Sequence, residues 1–450
     1  MKQLDEPVSM SCADVVPEEN IAYRKVIGRL MPFLLIAFMV NAIDRVNISF
    51  AKLSMAHDIA LSDAAYGFGA GVFYLGYVLF EVPSNLYFQR VGARATLTRI
   101  MILWGAVTIL TAFVNSANQL IAMRFLLGVA EAGFLSGVIL YLSYWFPSAL
   151  RGRITAAFLM AGVVAGIVSG PFAGWIMTHF GHDARLRDWQ ALFIIEGIPA
   201  VVMGAIAWFW LADRPANASW LSAAQKQTIV AALAAEHDQS VQQESLMKVL
   251  RNPFIYLMGL VYFCIYGGSN TVSYWMPTLI RGMGVEDLKS IGIISSLPYI
   301  CALGGMYLLG RSSDRRQERR WHLAATMCVG AGCFLALGFV RGDLSLSILF
   351  MSVGCAAALS AISLFWTIPP ALLGPASAAG GIALISSIGT TAGIVSPMAI
   401  GAIRSATGSL YTAFDVMAVA LIGGALVLLI TVRRPRTEPH EIAKPEIGRA

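Results

Sequence analysis

Hydrophobic residues in this chain gather into runs of about 20, the length at which an α-helix rising about 1.5 Å per residue crosses the hydrocarbon of a bilayer. Twelve runs stand out, centred near positions 41, 77, 105, 130, 165, 200, 265, 299, 331, 357, 389 and 421, several of them interrupted by Gly or Pro. The pattern predicts an all-α membrane protein with twelve transmembrane helices. Residues 1–29 are polar and acidic, with no short apolar core before a small-residue cleavage site, so the first run is expected to be an uncleaved signal-anchor. One long polar stretch, 213–250, separates the sixth run from the seventh. Within it, WLSAAQKQTIVAALAAE offers Ser222 as the N-cap of a short amphipathic surface helix.

The runs form two similar sets of six. Arg90, after the second run, and Arg315, after the eighth, stand 225 residues apart, half the chain length, and AGIVSGP at 165–171 returns as AGIVSP at 392–397. The expected organisation is a cytoplasmic tail (1–29), a six-helix bundle (30–212), a cytoplasmic linker (213–250), a second, pseudo-symmetric six-helix bundle (251–432) and a cytoplasmic tail (433–450).

Composition agrees, because 57% hydrophobic and 13% charged residues exclude an ordinary water-soluble protein. Counting alternate loops, the side with both termini holds 23 of the 32 Lys and Arg residues and the other side 7. That asymmetry places both termini in the cytoplasm, with the chain in the inner (plasma) membrane. The net charge of +6 is thereby a topology signal, and no nucleic-acid partner is implied. The six cysteines include no CxxC and no Cys/His cluster, so neither disulfides nor structural zinc are expected. There is no Walker loop, metal-ligand helix or nucleophile elbow, and an enzyme is not expected. A monomer in the lipid bilayer is.

Against this apolar background four charges stand out. Asp44 and Arg45 interrupt the first run, in FMVNAIDRVNISFA (38–51), and each opposes insertion by roughly 2.5–3.5 kcal/mol. The fourth run holds Arg124 and Glu131, seven residues apart with Gly128 between them. On a helix that spacing gives one face to within about 20° and about 10 Å along the axis. Asp44 and Glu131 both fall near the bilayer midplane by residue count. Burial disfavours an ionised carboxylate, a nearby guanidinium opposes that effect, and an anion competing for the guanidinium favours protonation again. Proton and anion binding are thereby linked, a physical basis for moving the two together. A static salt-bridge network between spans one and four is the alternative use of the same residues. Glu81 and Glu196, toward the ends of spans two and six, are read as helix-packing or gate contacts, with a coupling role as the alternative. The row YFCIYGGSNTVSYW (262–275) offers Tyr266, Asn270 and Tyr274 to a cavity, or to packing.

GRSSDRR at 310–316 and NLYFQRVGAR at 85–94 resemble the signature loops of the major facilitator superfamily. DRVN at 44–47, FEVPSN at 80–85, RFLLGVAEAG at 124–133, YWFP at 144–147 and FIIEGIPA at 193–200, taken in order, resemble the anion:cation symporter family, which includes permeases for tartrate, phthalate, hydroxyphenylacetate and sugar acids. The resemblance implies the major facilitator fold and uptake of a small organic carboxylate by alternating access, with protons as coupling ion and no bound cofactor. It implies Asp44 and Glu131 as protonation sites and Arg45 as a contact to the substrate carboxylate. Arg124 would help to hold the anion or partner an acid. Asn47 of DRVN, Tyr77, Trp366 and Ser386 are carried over as further substrate contacts, and Arg90, Arg94, Asp314 and Arg315 as cytoplasmic gate clamps, with positive-inside anchoring as the alternative for the last four.

Two departures bear on this. Gln89 stands where the superfamily loop usually has Asp, which weakens the first-half clamp. Ser386 and Thr390 stand where the family often has Asn, and Gly162 where the galactonate-type permeases have Gln, so amides suited to a polyol acid are missing and a less hydroxylated or more aromatic carboxylate is favoured. The alternative function is proton-coupled export of a drug or organic cation, suggested by GIVSGPFAG at 166–174, although Trp175 breaks that motif and Arg45 and Arg124 count against a cationic cargo.

Overall fold

Segments that find no hydrogen-bond partners in lipid must bond to themselves, and each apolar run is accordingly helical. The computed structural model describes residues 17–180, 186–238, 246–373 and 375–432. The first half comprises α1 (Pro17–Asp58), α2 (Asp63–Val91), α3 (Ala93–Thr111), α4 (Ala117–Glu131), α5 (Phe134–Ser143), α6 (Ser148–Phe180) and α7 (Asp188–Trp210). The linker contributes α8 (Ala223–Asp238) and α9 (Leu246–Leu250). The second half comprises α10 (Pro253–Gly282), α11 (Leu288–Arg316), α12 (Arg320–Leu337), α13 (Leu344–Phe365), α14 (Pro369–Leu372), α15 (Pro375–Thr390), α16 (Ala392–Thr407) and α17 (Leu410–Thr431). Among the described residues 12 helical segments are long and apolar enough to cross a membrane, three of them in two pieces (α4–α5, α13–α14 and α15–α16).

Polar residues between the runs act as helix caps. Ser62 accepts from the Ala65 backbone N–H at 3.1 Å, Ser116 from Gln119 at 3.3 Å, Ser222 from Gln225 at 3.2 Å and Asp343 from Leu346 at 3.0 Å, each satisfying a donor the first turn leaves open. Helix α1 differs from the pattern by starting at Pro17, so that residues 17–29 prolong the first span as helix. Residues 1–16 and the tail 433–450 lie outside the described residues. The fourth span breaks directly after Glu131. Gly133 there takes φ +86°, and a Cβ on it would come within 2.6 Å of the Ser84 hydroxyl.

The halves are related by the symmetry the repeats suggested. In the first, α3 lies along α7; in the second, α12 lies along α17. Between them α2 meets α16, α6 meets α11 and α1 meets α10, pairs that map onto one another when the halves are exchanged. Glycines permit this approach: a Cβ on Gly170 or Gly292 would lie 2.3 Å from the other's carbonyl oxygen, and one on Gly67 would lie 2.3 Å from that of Pro397.

These contacts belong to one end of the bundle and its middle. Asp63 of α2 accepts from Lys52 of α1 at 2.6 Å and pairs with Arg404 of α16 at 3.1 Å. Lys52 also lies 4.0 Å from the ring centre of Trp275 on α10. Tyr66 donates to the Tyr274 carbonyl at 2.6 Å, the Ala64 backbone N–H to Ser405 at 2.9 Å, and Arg281 to the Leu53 carbonyl. Helix α2 is buried almost continuously from Tyr66 to Gly76, but beyond Tyr77 only at Ser84 and Phe88. The buried positions of α11 likewise concentrate between Ile291 and Ala302. The halves are therefore closed at the Asp63 end and part toward the ends of α2 and α11 at Val91 and Arg316.

Candidate functional site

The site begins with a close helix pair. A Cβ on Gly128 of α4 would lie 2.0 Å from the Phe73 carbonyl oxygen, and one on Gly76 of α2 2.5 Å from that of Phe125, so only glycine lets these backbones touch. The contact brings Phe73 and Tyr77 of α2 beside Arg124 and Glu131 of α4. Arg45 of α1 reaches the same place: its guanidinium pairs with Glu131, and it sits 5.0 Å from the Tyr77 ring centre and 5.6 Å from that of Phe73. Glu131 is 0% exposed, whereas the Arg45 side chain keeps 18% of its surface open.

Arg124 is the unusual member. It is 1% exposed, and among the described residues none of its three guanidinium nitrogens has a hydrogen-bond partner. The Phe73 ring lies 4.8 Å from the guanidinium. A buried guanidinium whose donors find no acceptor carries a desolvation cost of about 1–3 kcal/mol or more, and an entering anion that accepts from it removes that cost. The arrangement is a fork-shaped donor held open for a carboxylate.

Asp44, adjacent to Arg45 in sequence and so about 100° round the helix, leaves this group. It is 0% exposed and accepts from Thr108 of α3 at 2.7 Å and from Asn47 at 2.8 Å. The second half contributes rings and neutral polar groups. Tyr74 donates to Asn270 at 3.0 Å and stands 6.2 Å from Tyr266, which continues through Tyr262 to Trp366 at 4.9 Å from the Tyr262 ring. One wall is thus cationic and the other aromatic.

A sequence model described as the Major Facilitator Superfamily matches residues 34–397. The chain belongs to the Major Facilitator Superfamily. It is 38% identical over 421 residues to a protein of Agrobacterium vitis named for tartrate transport, covering 92% of this chain and 95% of that one. It is 35% identical over 433 residues to a quinolone resistance transporter of Acinetobacter baumannii, covering 95% and 99%. The crystal structure of a D-xylose–proton symporter superposes with a TM-score of 0.72 at 14% identity, covering 90% of this chain and 98% of that one, a likeness of fold.

Within this superfamily fold the expected residues divide. Arg45, Arg124, Glu131 and Tyr77 come together, and Trp366 joins the facing aromatic wall. Asn47, expected at the substrate, is 1% exposed and stands on the Asp44 side, because the two share a helix face three residues apart. Ser386 is half-buried on α15, one turn before Gly389, where Tyr262 packs. The four expected gate residues do not bridge the halves in the contacts they make here. Asp314 pairs with Arg319 at 2.7 Å, and the Arg94 backbone N–H donates to Asp213 at 2.9 Å while its guanidinium lies 4.6 Å from the Trp208 ring. Arg90 and Arg315 are exposed. Sequence reasoning missed the Lys52–Asp63–Arg404 group. Its only signal was charge at the very ends of apolar runs, which anchoring explains equally well.

Proposed function

We propose that the protein is a secondary transporter that takes up a small organic carboxylate together with protons, by alternating access, in the inner membrane with both termini cytoplasmic. The observation that carries this reading is Arg124: a buried guanidinium with no acceptor, beside an Arg45 already neutralised by Glu131. In this reading the Asp63 end is external and the cleft faces the cytoplasm, so the conformation is inward-open. Protonation of Glu131 frees Arg45, and a carboxylate then bridges Arg45 and Arg124 while its body rests on the tyrosines of α10. Loss of the proton returns Glu131 to Arg45 and expels the anion. Arg90, Arg94, Asp314 and Arg315 have their clamping role in the opposite, outward-open state, when the cytoplasmic ends of α2 and α11 close. The tartrate name of one relative supports a carboxylate cargo.

The quinolone resistance relative favours a second reading, proton-driven export of a drug. Direction of transport separates the two. A site for a cationic drug would offer an intramembrane acid without a paired arginine; here Glu131 is held by Arg45, and the buried Arg124 guanidinium has no hydrogen-bond partner among the described residues. The test is binding of a panel of carboxylates to purified protein by thermal shift, followed by titration of the best binder against Arg124→Lys. Replacing the planar fork by a point charge weakens binding about ten- to hundredfold, as for a charge-assisted hydrogen bond worth about 1.5–3 kcal/mol. Unchanged affinity removes Arg124 from the site.

A further inference from the structure

Behind the cation pair lies a second polar group, wedged between α1, α3 and α7, which among the described residues makes no hydrogen bond to the proposed anion site. Asp44 is flanked on one strip of α1 by Asn41 and Asn47, and it meets Thr108 of α3. Glu196 of α7 completes the group: Asp44 and Asn47 are the polar neighbours that act on its carboxyl. The helices approach closely here because Gly197, next to Glu196, faces Gly105 of α3, where a Cβ on Gly105 would lie 2.8 Å from the Gly197 carbonyl oxygen. Among the described residues the 3%-exposed Glu196 makes no hydrogen bond of ordinary geometry through either oxygen, and Asn41, 0% exposed, makes none through its amide. The group is sealed and short of partners.

Its charge balance is informative. Arg45 and Glu131 cancel as an ion pair, and Arg124 is balanced by one further negative charge, which Asp44 within its electrostatic reach supplies. The charged groups bearing on Asp44 are Glu131 and Arg124 of α4, and Asp44 is the charged group bearing on Glu196. Among the described residues no cation is left for a second carboxylate. Two neighbouring buried carboxyls do not both ionise, and an unpaired buried charge costs several kcal/mol on the scale of broken buried pairs.

We propose that Asp44 and Glu196 hold one proton between them, with the Asn47 amide beside both, so that the proton count around Arg124 is set by Glu196 as well as by Glu131. The proposal rests on the proton-coupled reading for its use in transport. A second proton taken up by the pair leaves both carboxyls neutral and Arg124 without a counter-charge, so the site gains affinity for an anion; anion departure favours the return of that proton to water. Glu196 acts through Asp44 and Arg124 and is a positioning residue for the proton, with no contact to the cargo.

The test is infrared spectroscopy of the full-length, substrate-free protein at neutral pH, reading the carbonyl stretch of a protonated carboxyl. The wild type shows such a band, growing as pH is lowered. Glu196→Gln removes it, Glu131→Gln weakens it by releasing Arg45 as a further cation, and Thr108→Val, which takes one hydroxyl from Asp44 and leaves Glu196 intact, shifts it. The last variant keeps the test decisive if Glu196→Gln does not fold. A wild type without the band, or a band indifferent to Glu196→Gln and Thr108→Val, overturns the proposal while leaving coupling through Glu131 standing. A wild type with the band whose uptake ignores a pH gradient ends the coupling reading and leaves the shared proton in place.

Discussion

Closure of the Asp63 end depends on backbone meeting backbone, and Gly292→Ala tests that directly. The added Cβ lies 2.3 Å from the Gly170 carbonyl oxygen, 2.9 Å from its carbonyl carbon and 3.3 Å from the Gly174 Cα. Ordinary contact begins at 3.4 Å, so α6 and α11 must part by about 1 Å, and no side-chain rotation relieves a clash with main chain. Overpacking of this kind costs about 1–3 kcal/mol. The clash crosses the two halves, so in the proposed alternating-access cycle its cost falls on the inward-open state alone and moves the equilibrium toward outward-open by about 5- to 150-fold. Ser169, 4% exposed on α6 beside Gly170, reports the change. In a background lacking the six native cysteines, Ser169→Cys is labelled slowly from outside the cell by an impermeant maleimide, and Gly292→Ala raises that rate at least fivefold. Gly197→Ala serves as control, since its Cβ would strike Ile109 at 2.7 Å within a single bundle and lowers thermal stability without raising the labelling. An unchanged rate in a well-folded Gly292→Ala protein refutes the assignment of this seam as the external closure.

Two further predictions follow from the charged groups. Asp63→Asn leaves Lys52 and Arg404 facing each other without their shared acceptor, so it also raises external labelling of Ser169→Cys, by several-fold given that Asp63 is 27% exposed and its pairs are partly screened; labelling equal to the parent's excludes a latch. Glu131→Gln abolishes uptake driven by a pH gradient while exchange between anion-loaded vesicles persists, whereas loss of both in a folded protein favours a static network with Arg45.

The twelve spans were legible because lipid demands long apolar helices, and the two halves because their loops and the AGIVS segments repeat. The pairing of α1 with α4 was legible in part. Intramembrane charges are rare enough to name Asp44, Arg45, Arg124 and Glu131, but their partners depend on rotation about each helix and on which glycines let neighbours approach. Asp44 and Arg45 accordingly separate, one toward Thr108 and the other toward Glu131. Asn47 follows Asp44 because three residues return a helix to nearly the same face. Glu196 was visible as an acid toward the end of span six, within FIIEGIPA, yet its position beside Asp44 is set by the packing of Gly197 on Gly105, a contact without a local signature. The Asp63–Arg404 pair joins residues from opposite halves of the chain, so no single-segment pattern encodes it.

Proton-coupled carboxylate uptake is tested by accumulation of a labelled carboxylate, the best binder of the thermal-shift panel, in proteoliposomes with and without an inward proton gradient. The acid-outside gradient is expected to drive the anion above its external concentration, a protonophore to collapse the accumulation, and Arg124→Gln to abolish it. Uptake that only equilibrates whatever the gradient, or a carboxylate expelled as protons enter, would contradict proton-coupled uptake.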